Sequence, residues 1–535
     1  MGQLGIYLNP GNENFKKTLS TGRYVDKTKM IADINRFIDT GNDYICLSRP
    51  RRFGKTIASE MLSAYYSRGC DSRELFAPYM IAGDPDFDAP DGKRNRMNVI
   101  KIDMNSEYQS IDDRSRLIKV LTEEIKRELR DEFPTVQIGE DDTLPRSLLR
   151  IYGALKETFI IIIDEYDVLV REQADEQLFA EYLSFLNGLF KSATLRPAIS
   201  LAYLTGILPV IRDKIQSKLN NFREYTILDA VDLAEYVGFT ADEVKELCEK
   251  NGADFAECRK WYDGYRQRGY EIYNPESVIM SIAEGRFASY WGKTSTYEAI
   301  AERIRQNFEG THDAVVRMLA GESIDVNVTR YANSMTEFTS KNDLFTFLIH
   351  LGYLAYNEDY KTCRIPNWEV RQEWYNAIEA EPEYKETNKI IEDSKELLDR
   401  VIDGDAGAVA DALNRTHIHV TSNRSYNNED ALGSAIYLAF IYALNEYTCI
   451  REVTSGRGFA DVVYIPIHPG NEKRPAMVIE LKRNNTAESG LNQIRKKEYF
   501  DCLNQYEGNI LLIGISYDEK DKTHSCVIER AEKLS

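Results

Sequence analysis

The sequence predicts an α/β protein in two parts: a mostly parallel sheet followed by a helical region, then a smaller α/β unit at the C-terminal end. Three observations predict it. The first 230 residues alternate short apolar runs with amphipathic helical stretches, as a parallel sheet requires. From about Val231 to Ile365 the pattern turns helical and aromatic, as in ADEVKELCEK and LFTFLIHLGYLAY. From about Thr416 strand-like runs return. The 535 residues suit about three or four domains at roughly 100 to 200 residues each. The expected divisions are 1–230, 231–365, an acidic helical linker at 366–415, and 416–535.

Each element has its own reason. Tyr44–Leu47, Asn98–Ile102, Phe159–Ile163 and Ile199–Leu204 are apolar runs of strand length, and the isoleucines of FIIII suit burial on both faces. Residues Glu373 to Asp405 hold 11 acidic against 4 basic side chains and read as solvated helices or a connector. A helix is expected near Ala431–Glu446, strands at Ala460–Ile467 and Ala476–Leu481, a helix near Leu491–Gln505 and a strand at Asn509–Ile515.

The net charge is −19, so the whole chain has no basic footprint. From Thr421 onward the net is only −2, which leaves the C-terminal part least repellent to a phosphate backbone. The eight cysteines form no CxxC pair, and the six histidines give no zinc spacing, so free thiols in a reducing cytoplasm are expected. No signal peptide and no apolar run of about 18 residues is visible, so no membrane span is expected.

Ser48–Thr56 reads SRPRRFGKT between a strand and an apolar-periodic helix, the context of a Walker A loop. Backbone N–H groups of Arg49, Arg51, Arg52, Phe53 and Gly54 would curl around phosphate at a helix N-terminus, with Pro50 holding the turn. Lys55 would reach the terminal phosphates and the Thr56 hydroxyl a Mg²⁺ ion. Arg49 stands where the motif has its first glycine. Some 110 residues on, FIIIIDEYD supplies the second half: Asp164 for the metal shell and Glu165 to polarise water. Thr205, ending the next strand, is a candidate γ-phosphate sensor. Arg212 and Arg223 are candidate arginine fingers by position alone.

The pieces YVDKT, RPRRFGKT, IIIDEYD, LTG, KLNNF, WYDGY and YNPESV, in this order, resemble the bacterial AAA-ATPase-like proteins. The resemblance spans nearly the whole chain, and it implies that Asp26 and Lys27 lie near the nucleotide. WYDGY and YNP also read simply as core and turn of a helical lid.

In GRGFADVVYIPIHPGNEKRPAMVIELK, Asp461 opens one strand and Glu480-x-Lys482 ends the next. Alternate residues of a strand share a face, so Glu480 and Lys482 point the same way. Two carboxylates and a lysine converging there could hold Mg²⁺, or Mn²⁺ in its place, and activate water against a phosphate. This resembles the PD-(D/E)XK nuclease superfamily, with Asp461, Glu480 and Lys482 as the triad. The resemblance adds Glu429 as a further metal ligand, and Gln493, Lys497 and Tyr499 as nucleic-acid contacts.

The expected fold is therefore a P-loop NTPase sheet with a helical lid, followed by a PD-(D/E)XK-type α/β domain. The expected function is ATP hydrolysis coupled to Mg²⁺-dependent cleavage of DNA or RNA, suited to defence against phage or mobile DNA. Self-association into a homo-oligomer is left open. The rival expectation is a nucleic-acid-binding or signalling switch whose nuclease fold is inactive.

Overall fold

A computed structural model describes residues 5–209, 219, 221–291, 297–305, 308–319, 321–330, 338–379, 381–420, 436, 439–455, 458–466, 473–496, 506 and 508–531. The contacts divide the chain into two units, Met1–Thr294 with Asp325–Gln372, and Ser295–Ile324 with Glu373–Ser535.

The first unit is built on a five-stranded parallel sheet. Its strands are β1 (Tyr44–Ser48), β2 (Asn98–Asp103), β3 (Phe159–Asp164), β4 (Ile199–Gly206) and β5 (Arg223–Tyr225). Their spatial order is β2-β3-β4-β1-β5. Every residue of β1, β3 and β4 is buried, which explains their unbroken apolar runs. Each fully buried isoleucine of β3 contributes on the order of 1.5–3 kcal/mol over an exposed one.

Helix α1 (Lys55–Tyr66) follows β1 directly. Helices α2 (Leu117–Glu132), α3 (Leu144–Leu155) and α4 (Glu176–Phe190) complete the sandwich. Helix α2 buries Leu117, Leu121, Ile125 and Leu129, four positions at the spacing that puts one stripe against a sheet. Thr143 caps α3 through the Arg146 N–H, and Pro145 stands in its first turn, where a missing N–H costs nothing. In this order β4 lies between β1 and β3. The carboxyl ends of β1, β3 and β4 therefore open side by side, where open α/β sheets bind ligands.

Beyond residue 230 the expected helices are present, among them α5 (Ala241–Asn251), α6 (Phe255–Tyr262), α7 (Pro275–Glu284) and α8 (Lys341–Leu351). The Thr240–Glu243 capping box starts α5, and left-handed Gly252 ends it. The region is not wholly helical. Short strands β6 (Phe239–Thr240), β7 (Tyr265–Gln267) and β8 (Tyr270–Tyr273) form an antiparallel sheet in the order β6-β8-β7. WYDGY thus ends a helix and begins a strand. Gly264, at φ +121°, makes the break, and a Cβ there would lie 2.3 Å from the Pro366 carbonyl oxygen.

The second unit carries a mixed five-stranded sheet of β9 (Tyr447–Ser455), β10 (Gly458–Pro466), β11 (Ala476–Arg483), β12 (Ile510–Asp518) and β13 (Thr523–Ala531). Neighbours are antiparallel except β11 and β12, which run parallel. The strands at both edges, β9 and β13, were not foreseen. The helix expected up to Glu446 instead gives way to a 3₁₀ turn at Ile441–Asn445, and residues 421–435 lie outside the described residues. The acidic stretch is more than a solvated connector. After α9 (Trp368–Glu379), helices α10 (Lys385–Ile402) and α11 (Ala406–Val420) send Leu397, Leu398, Val401, Val409 and Leu413 into the core of this sheet. Their acids occupy the outer face of packed helices. Among the described residues no helix is long and apolar enough to cross a membrane.

Candidate functional site

The turn from β1 into α1 is shaped by two left-handed positions on either side of Phe53, Arg52 at φ +67° and Gly54 at φ +90°. Gly54 meets no neighbour within 4 Å, so its role is conformational. The first N–H groups of α1 have no partner within the helix and make a ready anion site. Lys55 is 4% exposed and donates to the Pro50 carbonyl oxygen at 2.9 Å. Burial lowers its pKa, while Glu165, Asp167 and Asp164 act to raise it.

Across from it, Asp164 is 1% exposed at the end of β3. Burial and then the Glu165 charge push its carboxyl up to about 6, against hydrogen bonding from Thr56 and the Lys55 charge. Ser59 donates to Asp164 Oδ2 at 3.3 Å. Glu165, at φ +52°, sits in the left-handed region just past the strand and accepts from the Arg171 guanidinium. Arg171 lies 3.2 Å from Asp167, whose Oδ2 accepts the Ile207 and Leu208 N–H groups at 3.0 Å each. Asp167 therefore fastens the exit of β4 to the segment carrying Glu165. Thr205 is fully buried on β4, and its Oγ1 has no hydrogen-bond partner. A buried hydroxyl without a partner costs free energy unless a ligand satisfies it. That orphan, the buried ammonium and the hard carboxylate together fit a nucleotide phosphate with Mg²⁺.

The loop arginines have distinct surroundings. Arg49 is fully buried and donates to Ser48 O at 2.8 Å and Tyr225 O at 2.9 Å, so it ties β1 to β5. Burial pushes its pKa down to about 10, and its Nε and Nη2 have no partner. Arg51 is exposed, and Arg52 donates to the Tyr290 carbonyl oxygen.

Asp26 accepts from Thr28 N–H and Oγ1 and from the Met80 N–H. Lys27 Nζ is 2.6 Å from both Glu243 oxygens and from the Glu235 carbonyl oxygen. Lys27 also lines a cavity of about 290 Å³ with Tyr24, Phe53, Gly54, Ile57 and Phe239, beside the start of α1. Sequence reasoning missed this cavity, Ser59, Asp167 and Arg171. IIIDEYD signals Asp167, but nothing local signals the distant walls of the cavity.

In the second unit, β10 pairs with β11 in the register Val462↔Ile479. Asp461 and Glu480 are the next residues along the two strands. Glu480 is 1% exposed. Its Oε1 accepts Lys482 Nζ at 2.8 Å and the Gln493 side-chain amide. Gln493 comes from α12 (Ala487–Lys496), which lies almost against the strands. A Cβ on Gly514 would come within 2.1 Å of the Ala487 carbonyl oxygen, and one on Gly490 within 3.3 Å of the Glu480 carbonyl oxygen. Two glycines therefore permit the close approach. The Asp461 side chain, Glu429, Lys497, Tyr499 and Arg212 lie outside the described residues. Among the described residues no cluster of three or more His, Cys, Asp or Glu side chains is poised for a metal.

Residues 10–216 match the family model described as Predicted AAA-ATPase, and residues 427–526 that of the PD-(D/E)XK nuclease superfamily. An uncharacterized protein of the vnfD 5′ region of Azotobacter chroococcum mcd 1 is 25% identical over 287 residues. The match covers 51% of this chain and 51% of that protein, so the chain spans about half the length of the relative it matches. Among solved structures, a Walker-type ATPase of Pyrococcus abyssi aligns over 65% of this chain and 94% of its own, at 15% identity and TM-score 0.33. The ORC2 protein of Aeropyrum pernix, in ADPNP–ADP complexes, aligns over 63% and 88%, at 11% identity and TM-score 0.29.

Proposed function

We propose that this chain, which joins an AAA-ATPase-like region to a PD-(D/E)XK nuclease superfamily region, binds and hydrolyses ATP in the first and cleaves nucleic-acid phosphodiesters in the second. The observation that carries the first half is Asp164: a nearly inaccessible carboxylate that accepts from Ser59 and feels the Lys55 charge, at the strand ends where such sheets bind ligands.

In this reading Lys55 and the N–H groups of α1 hold the terminal phosphates, and Thr56 and Asp164 hold the metal ion. Thr205 donates its hydroxyl to a phosphate oxygen. The cavity beside Tyr24 and Phe53 receives the base. Glu165 leaves Arg171 and takes a proton from the attacking water. Mg²⁺ supplies charge neutralisation at the transferring phosphoryl group.

In the second unit Asp461 and Glu480 hold a divalent ion, with Glu429 as a further ligand. Lys482 orients water against the scissile phosphate, and Gln493 fixes Glu480. Lys497 and Tyr499 contact the nucleic acid. The working domain limits are 1–230, 231–365, 366–415 and 416–535. The proposed setting is the bacterial cytoplasm and the proposed task defence against phage or mobile DNA.

The test is two assays on the full-length protein. ATP turnover should vanish in Lys55→Ala and Asp164→Ala. Metal-dependent cleavage of DNA or RNA should vanish in Glu480→Ala and in EDTA. Turnover surviving in Asp164→Ala rejects the ATPase reading. A second reading draws on Glu480, whose Oε1 is already engaged by Lys482 and Gln493. In it the C-terminal unit binds nucleic acid without cutting, and wild type then shows binding but no cleavage with Mg²⁺ or Mn²⁺.

A further inference from the structure

The roles above leave the side chains of Pro50 and Arg52 unused and give Phe53 only a place beside the base cavity, although all three belong to the phosphate loop. Each is seated on a segment beyond residue 230. Arg52 donates to the Tyr290 carbonyl oxygen. The N–H groups of Tyr290 and Trp291 in turn donate to Glu369 Oε1 at 2.7 and 2.9 Å, and Ser277 Oγ donates to the same oxygen at 2.8 Å. Glu369 is fully buried, so its carboxylate fixes the peptide that grips Arg52.

Phe53 packs edge-on against Tyr265, with ring centroids 5.4 Å apart. Gly238, at φ +110°, makes room, because a Cβ there would lie 2.4 Å from Ile272 and 3.3 Å from Phe53. Pro50 rests on Gly352, at φ +87°, where a Cβ would come within 2.7 Å of the proline ring. The Tyr265 hydroxyl donates to the Gly352 carbonyl oxygen at 2.5 Å and so joins the second seat to the third. The chain of contacts reaches the ammonium, because Lys55 Nζ donates to Pro50 O.

A loop fixed at three points cannot adjust to a phosphate without moving its seats. We infer that Glu369 and Tyr265 are positioning residues for the phosphate loop, and that nucleotide binding is coupled to the packing of residues 231–291 and 338–369 through Pro50, Arg52 and Phe53. The coupling rests on the nucleotide reading above and is reciprocal by thermodynamic necessity. It gives Tyr265, the second tyrosine of WYDGY, a defined role.

The experiment measures affinity of the full-length protein for a fluorescent ATP analogue, together with hydrogen exchange along the chain. Glu369→Leu should weaken binding about tenfold, a typical size for linked sites. Glu369→Gln, which keeps an accepting oxygen for the Tyr290 and Trp291 N–H groups, should restore most of it. Tyr265→Phe keeps the ring on Phe53, loses only the hydroxyl, and should weaken binding less. In wild type the analogue should slow exchange at 286–291 and 350–353; in Glu369→Leu at saturating analogue it should not. Wild-type affinity in every variant, with no exchange response, overturns the coupling and leaves the nucleotide site standing. A wild type that binds no analogue overturns both.

Discussion

Replacing Asp164 by Asn should stabilise the metal-free, nucleotide-free protein, and more so as pH rises. The Asp164 carboxyl is 1% exposed, and burial, followed by the Glu165 charge, raises it from 3.8 to about 6. A carboxyl whose folded pKa exceeds its unfolded value holds a proton in the folded state that the unfolded state has released. Stability therefore falls as pH rises through the window from about 4 to about 6, and the loss is complete above it. About two units at 1.4 kcal/mol each give about 3 kcal/mol. Asn has the same shape, can still accept from Ser59, and cannot ionise. The variant and wild type should thus match near pH 4 and diverge by about 3 kcal/mol at pH 7. Urea unfolding in EDTA, followed by tryptophan fluorescence, reads this. Trp261, Trp291 and Trp368 all lie in the unit that holds Asp164. Adding Mg²⁺ with an ATP analogue should close the gap by stabilising wild type alone. A gap that does not change with pH, or a wild type more stable than the variant at pH 7, refutes the reasoning.

Gly514→Ala should cost roughly 1–3 kcal/mol, because its Cβ would press on the backbone of α12 at Ala487, where no side chain can swing aside. Thermal unfolding reads the loss, and Mn²⁺ affinity of the C-terminal unit should fall as Gln493 moves away from Glu480. Arg171→Ala removes the cation beside fully buried Asp167 and should destabilise the first unit by about 3 kcal/mol. Arg171→Lys should recover part of this in the same urea experiment.

Sequence reading went furthest where the chemistry is local. The phosphate-loop segment and FIIIIDEYD are contiguous stretches, so strand, turn and acids can be read in place. That β4 lies between β1 and β3 is a property of chain crossovers and leaves no local trace. Arg49 reads as a loop cation, yet its surroundings come from β5, more than 170 residues away, and they bury it. The edge strands β9 and β13 mix β-branched residues with charges such as Arg451 and Glu529, which breaks the apolar run that would signal a strand. Acidic composition hid the buried stripe of Lys385–Ile402, because net charge describes the outer face and periodicity the inner one. The contact of Gln493 with Glu480 depends on how closely α12 approaches the sheet, which two separate glycines decide.

The most direct measurement of the central claim is the stoichiometry of Mn²⁺ bound to the full-length protein with a non-hydrolysable ATP analogue. We expect two classes of site, with Asp164→Ala removing the nucleotide-dependent one and Glu480→Ala the other, each leaving its counterpart intact. A single class in wild type, or both classes persisting through either substitution, would contradict the account.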